Sequence, residues 1–269
     1  MQKSNTLWTQ PTKSGLGDRC CDLLFVYSYA TMFNSKLYTS WPQFEIKKID
    51  MPHRKTDIQI DNVLKYLNFP EDISFKKPDK VDKIFNFYVG GGNTAKSFHE
   101  KYIGDKFSLS KFNEVVEKCS QEFNFCNEIK NYLLTLPESF ISLHIRRGDK
   151  VREGTWNDGG FINYHEVEHL DLITRRVIDF YSKLGYKHLF ICGDENDKTQ
   201  VFLNYANSKN FKTFTTPKMP KWKETYFDIA TMTKSKIVIT SQRYSSFAKF
   251  PTLIGKGKFL TTYELEKII

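Results

Sequence analysis

The residues best equipped for chemistry lie in FISLHIRRGDKV, residues 140–151. Phe140, Ile141, Leu143 and Ile145 give the bulk of a buried strand, which then ends in Arg146, Arg147, Gly148, Asp149 and Lys150. Arginine is always charged and bonds phosphate oxygens two at a time, so a pair of arginines at a strand end suits a phosphate or diphosphate ligand. Strand alternation puts Ser142, His144 and Arg146 on one face and Leu143, Ile145 and Arg147 on the other. A buried arginine needs an anionic partner, and two remain open: a bound phosphate, or carboxylates on neighbouring strands.

Two other stretches carry related chemistry. TKSGLGDRCCDLL is a glycine turn between a strand and a helix, where Gly15 and Gly17 permit close backbone approach and a helix N-terminus attracts anions. Asp18 in that turn also complements the helix dipole. FDIATMTKSKIVITSQRYSSF runs helix, strand, polar turn, helix, with Asp228 in the first helix and Ser245 and Ser246 opening the second. Those serines suit a phosphate cradle or an ordinary N-cap. Asp194, at a strand end in FICGDEND, reads as a helix cap.

These groups need a frame. Strand-like and helix-like segments alternate throughout, the pattern of an α/β fold with a mainly parallel sheet. Strands are expected at Thr6–Gln10, Leu37–Trp41, Ile84–Val89, Phe140–Arg146, His188–Cys192, Phe211–Thr215 and Lys236–Thr240. Helices are expected from about Asp18 to Phe33, over Ser108–Leu136, Tyr164–Leu184, Asn196–Ser208, Trp222–Lys234 and around Ser246–Ile254. Pro137 ends the second of these and marks a boundary between an N-terminal α/β domain, 1–136, and a C-terminal Rossmann-like domain, 137–269. In such a sheet ligands sit beyond the carboxyl ends of the strands, where the arginines fall.

Composition narrows the partners. Forty Lys and Arg against 31 Asp and Glu give a net charge of +9, which favours anionic ligands, although the lysines are scattered as on an ordinary solvated surface. Five cysteines, at 20, 21, 119, 126 and 192, show no metal-ligand spacing and suggest reduced thiols in a reducing compartment. Residues 1–11 lack the apolar run of a signal peptide, and no window approaches ~18 consecutive apolar residues. The expectation is a soluble, cytoplasmic protein.

The stretches GLGDR, HIRRGDK and DI…SKIVITS…SS, occurring together and in that order, resemble the fucosyltransferase superfamily that includes the α1,2-, α1,6- and protein O-fucosyltransferases. The resemblance covers mainly Thr12–Ala30 and Phe140–Pro251, and HIRRGDK is its most specific part. It implies a GT-B-like α/β architecture, two Rossmann-type domains facing a central cleft. The implied activity is inverting, metal-independent transfer of fucose from GDP-fucose to a glycan or glycoconjugate, with no cofactor. Carried over residue by residue, Arg146 would hold the β-phosphate and stabilise the departing GDP. His144 and Asp228 would contact the guanosine, Arg147 would assist, Ser245 and Ser246 would complete the phosphate cradle, and Gly15, Gly17 and Asp18 would approach from the first domain. Asp18 replaces a common asparagine and is a candidate base; Glu153, near the usual position of a catalytic glutamate, is the other. Lacking an anchor, the chain resembles a soluble bacterial or viral member.

Three alternatives stand beside this reading. A related fold accepts other nucleotide-sugars. VGGGNTAKSF, residues 89–98, nearly matches a phosphate loop, with Ala95 in place of the last glycine, and a P-loop kinase or NTPase built on it would need Mg²⁺. A basic nucleic-acid-binding protein is permitted by composition, but no such module is visible and none is expected to bind.

Overall fold

The computed structural model describes residues 5–11, 15–41, 59–86, 94–146, 151–152, 162–242 and 245–269. The chain divides into two compact units, Met1–Asn127 and Glu128–Ile269.

The first unit contains β1 (Thr6–Gln10), α1 (Leu16–Met32), β2 (Lys36–Thr39), α2 (Ile60–Tyr66), β3 (Leu67–Asn68), β4 (Ile73–Ser74), β5 (Lys83–Asn86), α3 (Ala95–Tyr102), α4 (Leu109–Ser120) and β6 (Asn124–Phe125). α5 (Asn127–Leu133) follows. A parallel sheet has the order β4-β2-β1-β5, with Thr6 opposite Lys36 and Leu7 opposite Lys83. α1 is buried nearly all round, as its continuous apolar sequence requires, because it packs on the sheet and under α4. Aromatic rings fill the space beside it: Phe98 stacks on Phe112 at 5.5 Å and on Phe85 at 5.9 Å between centroids.

One long helix over 108–136 does not form. Ser108 caps α4, accepting from Lys111 N at 3.1 Å, and the helix stops at Ser120. Asn124 and Phe125 then pair antiparallel with Leu67 and Asn68 as β6, and α5 begins two residues later. The cause is local. Asn124 Oδ1 accepts from Phe125 N at 2.9 Å and Asn68 Nδ2 donates to Phe125 O at 3.1 Å, offering the backbone a better partner than another helical turn.

The second unit contains β7 (Ile141–Ile145), β8 (Val151–Arg152), β9 (Ile162–Asn163), α6 (Tyr164–Lys183), β10 (His188–Gly193), α7 (Asn196–Ser208), β11 (Lys212–Phe214), α8 (Lys221–Lys234), β12 (Ile237–Thr240), α9 (Ser246–Ile254), β13 (Lys258–Thr261) and α10 (Thr262–Glu266). Its five-stranded sheet is parallel throughout, in the order β11-β10-β7-β12-β13. Counted along the chain that is 3-2-1-4-5, the doubly wound nucleotide-binding order. Ile141, Leu143 and Ile145 pack with Ile173, Val177 and Phe202 of α6 and α7. Phe140, Val238 and Cys192 pack with Met232 and Ala248 of α8 and α9, so both faces of the sheet are covered. The last strand and helix were not anticipated, although Thr261 and Glu264 form a capping box whose spacing shows in TTYE.

Candidate functional site

In the second unit the crossover helices change face between β7 and β12, which opens a crevice beyond the carboxyl ends of those two strands. Several of the singled-out residues meet there. Arg146 follows β7 directly, and its backbone N–H donates to Ser241 Oγ at 3.0 Å, while Ser241 N donates to His144 O at 3.0 Å. The two strand ends are thus laced together by a residue the sequence reading passed over. Its signal was the polar turn after an apolar strand.

Arg146 Nη1 lies 3.0 Å from Asp194 Oδ2, with side chains only 13% and 6% exposed. The carboxylate open in the sequence therefore exists on the adjacent strand end. Asp194 is not the cap of α7; Glu195 holds that position, without a side-chain cap bond. The contact is a nearly buried charge pair. Gly193 makes the approach possible. A Cβ there would stand 2.6 Å from Thr199 Oγ1 and 2.8 Å from Ile145 O, and Asp194 N continues the ladder to Ile145 O at 3.3 Å.

His144 is buried, its Nδ1 3.5 Å from Ser245 Oγ and its ring 5.1 Å from that of Phe247. Ser245 caps α9, accepting from Ala248 N at 3.4 Å, and Ser246 starts the helix, so both serines and the helix N-terminus border the crevice.

Asp228 is buried in α8 and accepts from Thr216 Oγ1 at 3.1 Å. Burial chiefly, helped by the nearby Glu224 charge, pushes its carboxyl up to about 8; Lys221 and the Thr216 bond act the other way. Burial also pushes the neighbouring Cys192 thiol up. Lys221, at the first turn of α8, donates to Gly193 O at 2.9 Å and pairs with Glu224 at 3.2 Å. It ties α8 to the strand end that carries Asp194. Nothing in its sequence neighbourhood distinguishes it from the other lysines.

In the first unit Gly15 is the residue before α1, Gly17 is buried in the first helical turn, and Asp18 lies in that turn near the positive end of the dipole. A Cβ at Gly15 would meet nothing within 4 Å and φ is −67°, so packing among the described residues does not itself call for glycine there. Next to Asp18, Arg19 is wholly buried with its guanidinium 5.6 Å from the centre of the Trp41 ring. Arg147, Asp149 and Glu153 lie outside the described residues, as do 89–93 of the phosphate-loop-like stretch. The remainder of that stretch opens α3: Thr94 and Ser97 form a reciprocal capping box, and Lys96 pairs with Glu100 at 3.8 Å on an exposed face. The strand before it, β5, is the edge of its sheet. Among the described residues no cluster of His, Cys, Asp and Glu has the makings of a metal site, and no helix is long and apolar enough to cross a membrane.

No family model and no curated protein sequence matches the chain. Solved structures do. The fucosyltransferase NodZ from Bradyrhizobium aligns with a TM-score of 0.54 at 14% identity, covering 94% of each chain. The NodZ α1,6-fucosyltransferase soaked with GDP-fucose gives 0.53 at 13%, covering 94% of this chain and 93% of that one. POFUT1 in complex with GDP gives 0.50 at 10%, covering 96% and 98%. At such identities the likeness is one of fold: a mixed α/β chain with parallel sheets, like the GT-B-type fucosyltransferases it matches.

Proposed function

We propose that the chain is an inverting glycosyltransferase that transfers fucose from GDP-fucose to a glycan or glycoconjugate acceptor. The observation that carries this reading is the placement of Arg146, braced by Asp194 and Ser241, at the switch point of a 3-2-1-4-5 sheet. A guanidinium fixed there meets the charge that develops on a departing diphosphate, and it needs no reorganisation when that charge appears. Asp194 holds the group at the strand end through a nearly buried charge pair. Ser245, Ser246 and the α9 N-terminus add hydroxyl and amide donors for the same oxygens. Asp228, once ionised, accepts from two adjacent N–H groups, the pattern of guanine N1 and N2.

In this reading Arg147 assists at the phosphates, Gly15, Gly17 and Asp18 contribute to donor binding, and Glu153 or Asp18 takes the acceptor proton. Charge neutralisation by arginine gives the reaction no need of a metal. The protein works as a soluble enzyme in the cytoplasm. The test is transfer from radiolabelled GDP-fucose to a panel of glycans in EDTA, beside GDP-mannose and UDP-sugars. Turnover confined to GDP-fucose supports the reading; turnover only with a different nucleotide-sugar overturns the donor.

A further inference from the structure

Gln242 is the second residue past β12, and it is 2% exposed. Neither its Nε2 nor its Oε1 has a hydrogen-bond partner among the described residues. Burying a carboxamide with both ends unmatched is unfavourable, and an apolar residue of the same size would serve packing better. The residue stands at the crevice. Its chain neighbour Ser241 bonds both Arg146 N and His144 O, and Thr240 lies opposite His144 in the ladder. Two more buried hydroxyls on the same strand pair, Ser142 Oγ and Thr240 Oγ1, also lack a hydrogen-bond partner among the described residues. Unmatched polar atoms on β7, on β12 and just past β12 thus lie on the strand pair that borders the crevice.

We propose that Gln242 is a specificity-determining residue that reads a vicinal diol on a sugar ring of the nucleotide-sugar donor, an inference that rests on the donor site proposed above. The chemistry selects the ligand group. A phosphate oxygen only accepts and matches Nε2 alone, whereas adjacent hydroxyls both donate and accept and match Nε2 and Oε1 together. The position agrees with it. Gln242 is one peptide from the residue that braces the diphosphate-binding arginine, and the rings attached to a nucleotide-sugar diphosphate are the ribose and the transferred hexose. Both carry such a diol.

The experiment is calorimetric titration of the wild-type chain and of Gln242→Leu and Gln242→Glu with GDP, 2′,3′-dideoxy-GDP and GDP-fucose in EDTA, with thermal melts of each protein alone. If the ribose is read, the wild type binds GDP about tenfold more tightly than dideoxy-GDP, and Gln242→Leu binds the two alike. If the hexose is read, Gln242→Leu leaves GDP binding unchanged and weakens GDP-fucose by about tenfold. Gln242→Leu melts at or above the wild-type temperature in either case. The proposal is overturned if both variants bind all three ligands as the wild type does, or if the amide proves necessary for folding while the wild type ignores the ribose diol and binds GDP-fucose no better than GDP. A wild type that binds no nucleoside diphosphate overturns the donor site itself, and with it this reading, a result distinct from the first.

Discussion

Arg146 Nη1 and Asp194 Oδ2 stand 3.0 Å apart across the ends of two neighbouring parallel strands, nearly out of solvent. The pair gives the nearly buried guanidinium at this strand end an anionic partner.

Arg146→Ala is expected to lower kcat by at least about 10²-fold, the loss typical of one fixed charge-stabilising donor. It also strands Asp194 in a buried setting, at a cost of up to about 3–5 kcal/mol. The double variant Arg146→Ala/Asp194→Asn should regain most of that stability and none of the activity. Denaturant melts and initial rates on the three proteins separate the two effects; recovery of turnover in the double variant would refute the role given to Arg146.

Asp228 gives a pH dependence whose sign differs between the free protein and its complex. Its folded-state value, about 8, lies above the ordinary carboxylate range. Its contribution to stability is therefore complete below the unfolded pKa near ~4 and is lost as pH rises through about 8. Guanine needs the ionised form, so GDP affinity should rise with pH up to about 8, by as much as about tenfold per unit. Asp228→Asn should flatten both profiles and weaken GDP binding. Titrations at three pH values check this, and a wild-type affinity that falls as pH rises from 6 to 8 removes Asp228 from the base pocket.

Gly193→Ala should disturb the site from beneath. The new Cβ meets Thr199 Oγ1, which is able to rotate, and Ile145 O, which is not. A destabilisation of about 1–3 kcal/mol is expected, together with a fall in kcat as Asp194 moves from Arg146. Gly257→Ala is the control: its Cβ would crowd the carbonyl of Ser235, so it should cost stability without a matching change in kcat for the remaining folded enzyme.

Lys96→Ala should leave transfer unchanged. The lysine makes an exposed i,i+4 pair, worth about 0.3–0.5 kcal/mol at most. Ser97 is already engaged in the cap of α3, and β5 is an edge strand, an arrangement unlike a phosphate loop on a central strand. A loss of activity on this change, with Mg²⁺-dependent ATP binding in the wild type, would restore the phosphate-loop reading.

How far the sequence reached follows from which interactions are local. Alternation and apolar runs marked the parallel strands and most helices, because each such element advertises its own burial: α7 and α9 have the expected bounds. The break after Ser120 escaped because Phe123 and Phe125 satisfy helical periodicity, and only pairing with Leu67 and Asn68 selects the strand. At the site, Arg146 and His144 stood out through residue type and spacing. Ser241 and Lys221 did not, and Asp194 was noticed but read as a helix cap, since their importance lies in partners on other strands: Asp194 is paired with Arg146 at the end of β7, and Lys221 reaches the carbonyl of Gly193. Gln242 was invisible for a related reason. A glutamine after a strand is ordinary until its burial and its unmatched amide are known.

The central claim, that Arg146 sits in a guanosine diphosphate site, is tested most directly by calorimetry of the wild type and Arg146→Ala/Asp194→Asn with GDP, UDP, ADP and ATP, each in EDTA and in Mg²⁺. The account predicts chelator-insensitive binding of GDP in preference to the other three, weakened at least about tenfold in the double variant. Equal GDP affinity in both proteins, or a wild type that binds only ATP and only with Mg²⁺, would contradict it.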